Sequence, residues 1–119
     1  MFLIAGPCAI ENREIVMETA ETLNHLCYEL GITLYFKSSF DKANRTSASA
    51  RGIGMDEGLK ILEEVKRMYD LPIVTDVHES WQCAPVAEVA DVLQIPAFLS
   101  WHSGRIVLQG VRRETGRGA

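Results

Sequence analysis

Four short apolar runs, each followed by polar residues and then by a helix-like stretch, most narrow what this 119-residue chain can become. The runs are Met1–Ala5, Thr33–Phe36, Pro72–Thr75 and Val92–Ile95. None alternates strictly between polar and apolar residues, the mark of strands covered on both faces. Between them, apolar residues recur at helical spacing. Val16, Ala20, Leu23, Cys27 and Leu30 form one stripe, and Leu59, Leu62, Val65 and either Met68 or Tyr69 form another. Asn12 is placed to cap the first helix, Glu14 suits its dipole, and Gly31 is a fitting stop. Asp56 and Glu57 open the second helix. A third, shorter helix holds Pro85 to Ala90, with Pro85 tolerated only near its start. The order β-α-β-α-β-α-β predicts an α/β fold with a parallel sheet and right-handed crossovers.

Such crossovers bring the C-terminal ends of the strands to one face, where α/β proteins place their sites. Polar residues collect there: Cys8 after the first strand, Lys37 to Arg45 after the second, Asp76 and His78 after the third, and Gln94 inside the end of the fourth. The first loop, Gly6-Pro7-Cys8-Ala9, carries no G-x-G-x-x-G, and no P-loop pattern occurs. A barrel is therefore favoured over a nucleotide-binding open sheet. A complete (β/α)₈ barrel takes about 250 residues, so this chain holds about half of one.

Composition excludes other classes. The chain is 47% hydrophobic and 24% charged, with a net charge of −4. That balance supports neither nucleic-acid nor membrane-surface binding. No apolar run is long enough to span a bilayer. Three cysteines without a C-x-x-C pair make no disulfide framework, and a cytoplasmic location is expected.

Read as chemistry, Lys37, Lys42 and Arg45 form an anion cradle, since ammonium and guanidinium groups offset the charge of phosphates and carboxylates. Asp76 is a candidate base. His78 suits either metal ligation or hydrogen bonds that fix its loop. Gln94 interrupts an apolar strand, so its amide needs partners, from substrate or from protein. Cys8, by spacing alone, reads as a small packing residue; Cys27 lies on a helical stripe. Phe40 and Trp81 read as packing groups, and His25 as partly exposed on its helix.

Four segments together carry a resemblance: Ile4-Ala5-Gly6-Pro7-Cys8-Ala9-Ile10-Glu11, Phe36-Lys37-Ser38-Ser39-Phe40-Asp41-Lys42-Ala43-Asn44-Arg45, Thr75-Asp76-Val77-His78-Glu79-Ser80-Trp81-Gln82, and Leu93-Gln94-Ile95-Pro96-Ala97-Phe98-Leu99. In this order they closely resemble the 3-deoxy-D-manno-octulosonate-8-phosphate synthases. The resemblance implies a (β/α)₈ barrel assembled as a homotetramer. It implies condensation of phosphoenolpyruvate with arabinose 5-phosphate and release of phosphate, on the route to lipopolysaccharide. Lys37, Ser39 and Lys42 would face phosphoenolpyruvate, with Gln94, Pro96 and Ala97 lining its pocket. Asn44 and Arg45 would bind arabinose 5-phosphate, with Thr46 supplying a hydroxyl beside them. Lys42, Asn44 and Asp76 would lie closest to the chemistry. Cys8, read through this resemblance, becomes a ligand to a divalent metal such as zinc, iron or manganese, completed by a His, a Glu and an Asp from the barrel's second half.

Two departures accompany it. The loop Thr46 to Gly52 is one residue shorter than the family's and lacks an aromatic before Arg51-Gly52. Beyond Leu99 the chain leaves the pattern at Ser100-Trp101-His102-Ser103-Gly104. Residues 1–99 carry 8 Lys and Arg against 15 Asp and Glu, whereas residues 100–119 carry 4 Arg and one acid, Glu114. The expectation is a partial barrel over residues 1–99 and a divergent tail translated out of frame, which the coding DNA would test. With four strands, the chain alone is expected to be inactive. The competing expectations are a non-catalytic half-barrel that binds or associates, and a related heptulosonate or sialic-acid-type synthase. Lys42-Ala43-Asn44-Arg45 argues against the heptulosonate type, which typically carries Lys-Pro-Arg there.

Overall fold

In the computed structural model, which describes residues 1–41 and 52–95, the apolar runs join into one sheet. Strand β1 spans Phe2–Ala5, β2 Thr33–Lys37, β3 Ile73–Asp76 and β4 Val92–Gln94. They lie in chain order, and each neighbouring pair is parallel. Helix α1, Arg13–Leu30, falls between β1 and β2, and α2, Met55–Tyr69, precedes β3. A 3₁₀ turn, Ser80–Gln82, runs into the short helix α3, Cys83–Ala87, ahead of β4. Pro85 is the third residue of α3, where its missing N–H breaks no helical bond. Strands laid side by side in sequence order, with helices between them, are the arrangement of the first half of a (β/α)₈ barrel.

The ends of α1 follow from its sequence. Asn12 is extended, and its Oδ1 accepts the Ile15 N–H at 2.9 Å. At the far end Gly31 takes the left-handed conformation (φ 67°). Its N–H donates to Tyr28 O at 3.3 Å, and the Ile32 N–H donates to Cys27 O at 2.9 Å. This is the Schellman closure, and a residue without Cβ adopts it most cheaply.

Val16, Met17, Ala20 and Cys27 are the buried residues of α1. Leu30, expected on that stripe, is 70% exposed. The buried arc turns toward Met17, and at 3.6 residues per turn Leu30 then falls about 80° from its centre. On α2, Gly58, Ile61, Leu62 and Val65 are buried. Tyr69 is half-buried and Met68 exposed, which settles that alternative. Arg13 and Glu64 join the two helices at the surface: Nε donates to Oε2 at 2.8 Å, and a second guanidinium N–H donates to Oε1.

Phe36, Ile10, Leu62, Ile73, Val65 and Val86 form the centre of the core between helices and sheet. Strand β1 does not share that burial. Phe2, Leu3 and Ile4 are exposed, because β1 is an outer strand of the described sheet with β2 as its one strand neighbour. Trp81, expected to pack, is 63% exposed on the 3₁₀ turn. Below the sheet, Asp91 joins three elements. Its carboxylate accepts the Ile73 N–H at 2.8 Å and the Lys66 ammonium at 3.0 and 3.1 Å, while Lys66 also donates to Val89 O at 3.0 Å.

Candidate active site at the strand ends

The parallel register sets Lys37 opposite Val74 and Asp76 opposite Gln94, so β3 and β4 end level while β2 ends two residues earlier, and Ser38 and Ser39 carry its chain on toward the sheet's C-terminal edge. Hydroxyl groups extend the pairing beyond the strands. Thr75 Oγ1 donates to Ser38 O at 2.7 Å, and Ser38 Oγ donates to Pro7 O at 2.6 Å. Ala9 bridges Ser39 in parallel, with the Ile10 N–H donating to Ser39 O at 2.8 Å. Gly6 lets β1 approach β2 here, since a Cβ on it would stand 1.9 Å from Lys37 O. The first loop, which carries Cys8, is thereby held against the end of β2.

A polar cluster sits under this edge. Asp76 is buried, and both of its carboxylate oxygens are engaged. Ser39 Oγ donates to Oδ1, and His78 Nε2 lies 2.9 Å from Oδ2. Ser39 and His78 are buried too. The backbone of His78 is fixed in turn: Gln82 Oε1 accepts its N–H at 2.8 Å and the Glu79 N–H at 3.1 Å. His78 Nδ1 is buried with no hydrogen-bond partner among the described residues. A carboxylate gripped at both oxygens is a rigid acceptor, suited to orienting a hydroxyl or receiving a proton at a fixed point.

Of the site residues read from the sequence, Asp76, Ser39 and Lys37 come together at this edge, Lys37 half-buried and Ser39 fully buried. Cys8 is exposed and in no disulfide. The expected burial of Gln94 is corrected: the residue is exposed, because β4 is the other outer strand of the described sheet. Its backbone O nonetheless accepts the Val77 N–H at 3.0 Å. Phe40 is buried and Cys27 lies in the core, as their spacing suggested. His25 is exposed and pairs with Glu29 at 3.2 Å. Lys42, Asn44, Arg45, Thr46, Pro96 and Ala97 lie outside the described residues, as does the tail from residue 100. His78, read from the sequence as a metal ligand or a loop-fixing residue, sits in the cluster, and Gln82 is the member to which sequence reading gave no role. The signal for them was the i, i+4 spacing of two polar residues just past a buried strand.

A divalent metal finds no complete site here. Among the described residues, no group of three or more His, Cys, Asp and Glu side chains could hold an ion. Nor, among them, is any helix long and apolar enough to cross a membrane.

Comparison with known proteins places this geometry in a family context. The model of the DAHP synthetase I family matches residues 1–107. A 2-dehydro-3-deoxyphosphooctonate aldolase 2 of Arabidopsis thaliana is 63% identical over 99 residues, covering 82% of this chain and 34% of that protein. A 2-dehydro-3-deoxyphosphooctonate aldolase of Fusobacterium nucleatum is 55% identical over 98 residues, 82% of this chain and 35% of its own. One from Shewanella is 52% identical over 106 residues, 88% and 38%. The chain thus spans little more than a third of the length of these relatives.

Proposed function

The chain belongs to the DAHP synthetase I family, and from that footing we propose that it is part of an enzyme condensing phosphoenolpyruvate with arabinose 5-phosphate. The products are 3-deoxy-D-manno-octulosonate 8-phosphate, a lipopolysaccharide precursor, and inorganic phosphate. The observation that carries the reading is the buried Ser39–Asp76–His78 cluster at the strand ends, where barrels hold their sites.

In this proposal C3 of phosphoenolpyruvate bonds to the aldehyde carbon of the sugar, whose oxygen takes up a proton. Water adds at C2, and the C2–O bond to phosphorus breaks to release phosphate. Lys37 and Lys42 offset the carboxylate and phosphate charge of phosphoenolpyruvate, and Gln94, Pro96 and Ala97 border it. Asn44, Arg45 and the Thr46 hydroxyl hold the sugar phosphate, where a guanidinium gives two-point contact. Asp76, kept in one orientation by its two donors, directs the sugar near the reacting carbons. Ser39 serves here by holding Asp76, a duty different from direct contact with phosphoenolpyruvate. Cys8 is proposed as one donor to a divalent metal. The donors among the described residues do not make a complete centre, so no step is assigned to that ion. A cytoplasmic homotetramer completes the proposal.

The test is a chimera in which residues 1–99 of this chain replace the matching segment of the Fusobacterium nucleatum relative. Condensation with arabinose 5-phosphate, followed as phosphate release, is the expected result. A preference for erythrose 4-phosphate would reassign the chain to heptulosonate synthesis.

A further inference from the structure

Beside the polar cluster, three stretches of chain meet at one junction. The Ile10 N–H donates to Ser39 O at 2.8 Å, and Ile10 O accepts the Ile53 N–H at 2.8 Å. Phe40 O accepts the Gly54 N–H at 2.9 Å. Gly52 (φ 113°) lies against the same two carbonyls: a Cβ on it would stand 2.7 Å from Phe40 O and 3.3 Å from Ile10 O. The chain therefore departs at Asp41 and returns at Gly52 to a single point. Under that point lies an apolar seat. Ile10 and Phe40 are 0% and 1% exposed, and Gly58, in the first turn of α2, is buried against them. A Cβ on Gly58 would stand 2.5 Å from Phe40 Cβ and 3.5 Å from Ile10 Cδ1. Every residue but glycine carries a Cβ, so no other side chain at position 40 makes room. Glycine is, after proline, the least favourable residue inside a helix. At position 58 the close approach of α2 to the junction requires it.

We propose that Gly58 and Phe40, with Gly52 across the junction, are positioning residues for substrate binding: they set where the chain departs toward Lys42 and where it returns. Lys42 follows Asp41, two residues beyond Phe40, so a displaced seat carries it along. The role toward substrates rests on the proposed function, in which Lys42 serves phosphoenolpyruvate and Asn44 and Arg45 the sugar phosphate; the junction itself does not. Gly58→Ala forces α2 and Phe40 apart by about 1 Å or more, since non-bonded carbons sit about 3.5–4.0 Å from one another. A misplacement of about 1 Å can cost an active site up to about a hundredfold.

The experiment has two parts. In the chimera of residues 1–99 with the Fusobacterium nucleatum relative, Gly58→Ala should raise the KM for phosphoenolpyruvate and for arabinose 5-phosphate about tenfold or more. A merely destabilised enzyme loses kcat with its folded share and keeps its KM, so unchanged KM values overturn the proposal. Gly52→Ala disturbs the junction from the other side, at a backbone angle that favours glycine, and should give the same rise; it decides if the α2 variant does not fold. If the unsubstituted chimera prefers erythrose 4-phosphate, the proposed function falls, and the KM for phosphoenolpyruvate still tests the junction.

The second part needs no substrate. In the 119-residue chain, hydrogen exchange at the Ile53 and Gly54 amides should be slow. Gly58→Ala should hasten both while leaving the Val77 amide, which donates to Gln94 O, unchanged. Fast exchange at Ile53 and Gly54 in the native chain, or no change in the variant, overturns the proposal as well.

Discussion

Replacing Asp91 with alanine tests how the base of the sheet is held. Its carboxylate accepts the Ile73 N–H at 2.8 Å, and Ile73 is wholly buried. Loss of a charged acceptor strands that donor away from water, at a cost of about 1.5–3 kcal/mol. The Lys66–Asp91 pair adds little, because each side chain is about a third exposed and Lys66 keeps Val89 O. A pair of that kind contributes about 0.2–1 kcal/mol. Together these give a loss of about 2–4 kcal/mol. Asp91→Asn keeps a neutral acceptor for Ile73 and should recover about 1 kcal/mol of it. Lys66→Met should cost no more than about 1 kcal/mol. Urea unfolding followed by circular dichroism measures all three. With a slope of about 2 kcal/mol per molar, Asp91→Ala should lower the midpoint by about 1–2 M. A shift equal to that of Lys66→Met would show that the ion pair, not the capped N–H of β3, carries the effect, and the reasoning would fail.

Other outcomes follow from the same geometry. Gly6→Ala sets a Cβ 1.9 Å from Lys37 O, so β1 and β2 must part at their C-terminal ends; a loss of at least about 2 kcal/mol is expected in thermal unfolding, against near-neutrality if the strands are not in contact there. Asn12→Ala removes the cap on the Ile15 N–H and should cost about 1 kcal/mol, with Asn12→Ser or Asn12→Asp restoring most of it. Arg13 lowers the pKa of Glu64, chiefly by its hydrogen bond, so the pair's small stabilising contribution is present above the usual carboxylate pKa and is lost as pH falls through Glu64's lowered one. Arg13→Met should therefore lower stability slightly near neutrality and leave it unchanged at pH below Glu64's lowered pKa, flattening the acid side of the profile; an unchanged acid slope would refute the coupling.

Much of the fold was legible because its signals are local. Asn12 and Gly31 bound α1 where their backbone chemistry said they would, and four apolar runs became four parallel strands. What escaped depended on neighbours far along the chain. Met1 to Ala5 reads as a buried strand by composition, yet β1 exposes Phe2 and Ile4 because strand order, not sequence, decides which strand is outermost. Gln94 looked buried for the same reason. Leu30 missed the core through a modest rotation of the helical arc, smaller than a stripe of leucines can report. In the site, Asp76 stood out as an acid ending a strand. Its partner Ser39 did not, because the two meet only once β2 and β3 are aligned in register.

Ser38 and Ser39 are identical letters side by side, yet the strand pleat sends them to opposite duties. One reaches to Pro7 in the first loop and the other to Asp76. Neither can stand in for the other, since a hydroxyl displaced by one residue points to the wrong side of the sheet. The doublet is therefore two independent constraints. A chain that drifts at Ser38 slackens the loop bearing Cys8, whereas drift at Ser39 releases the carboxylate, and the two lesions should be separable by where each is felt.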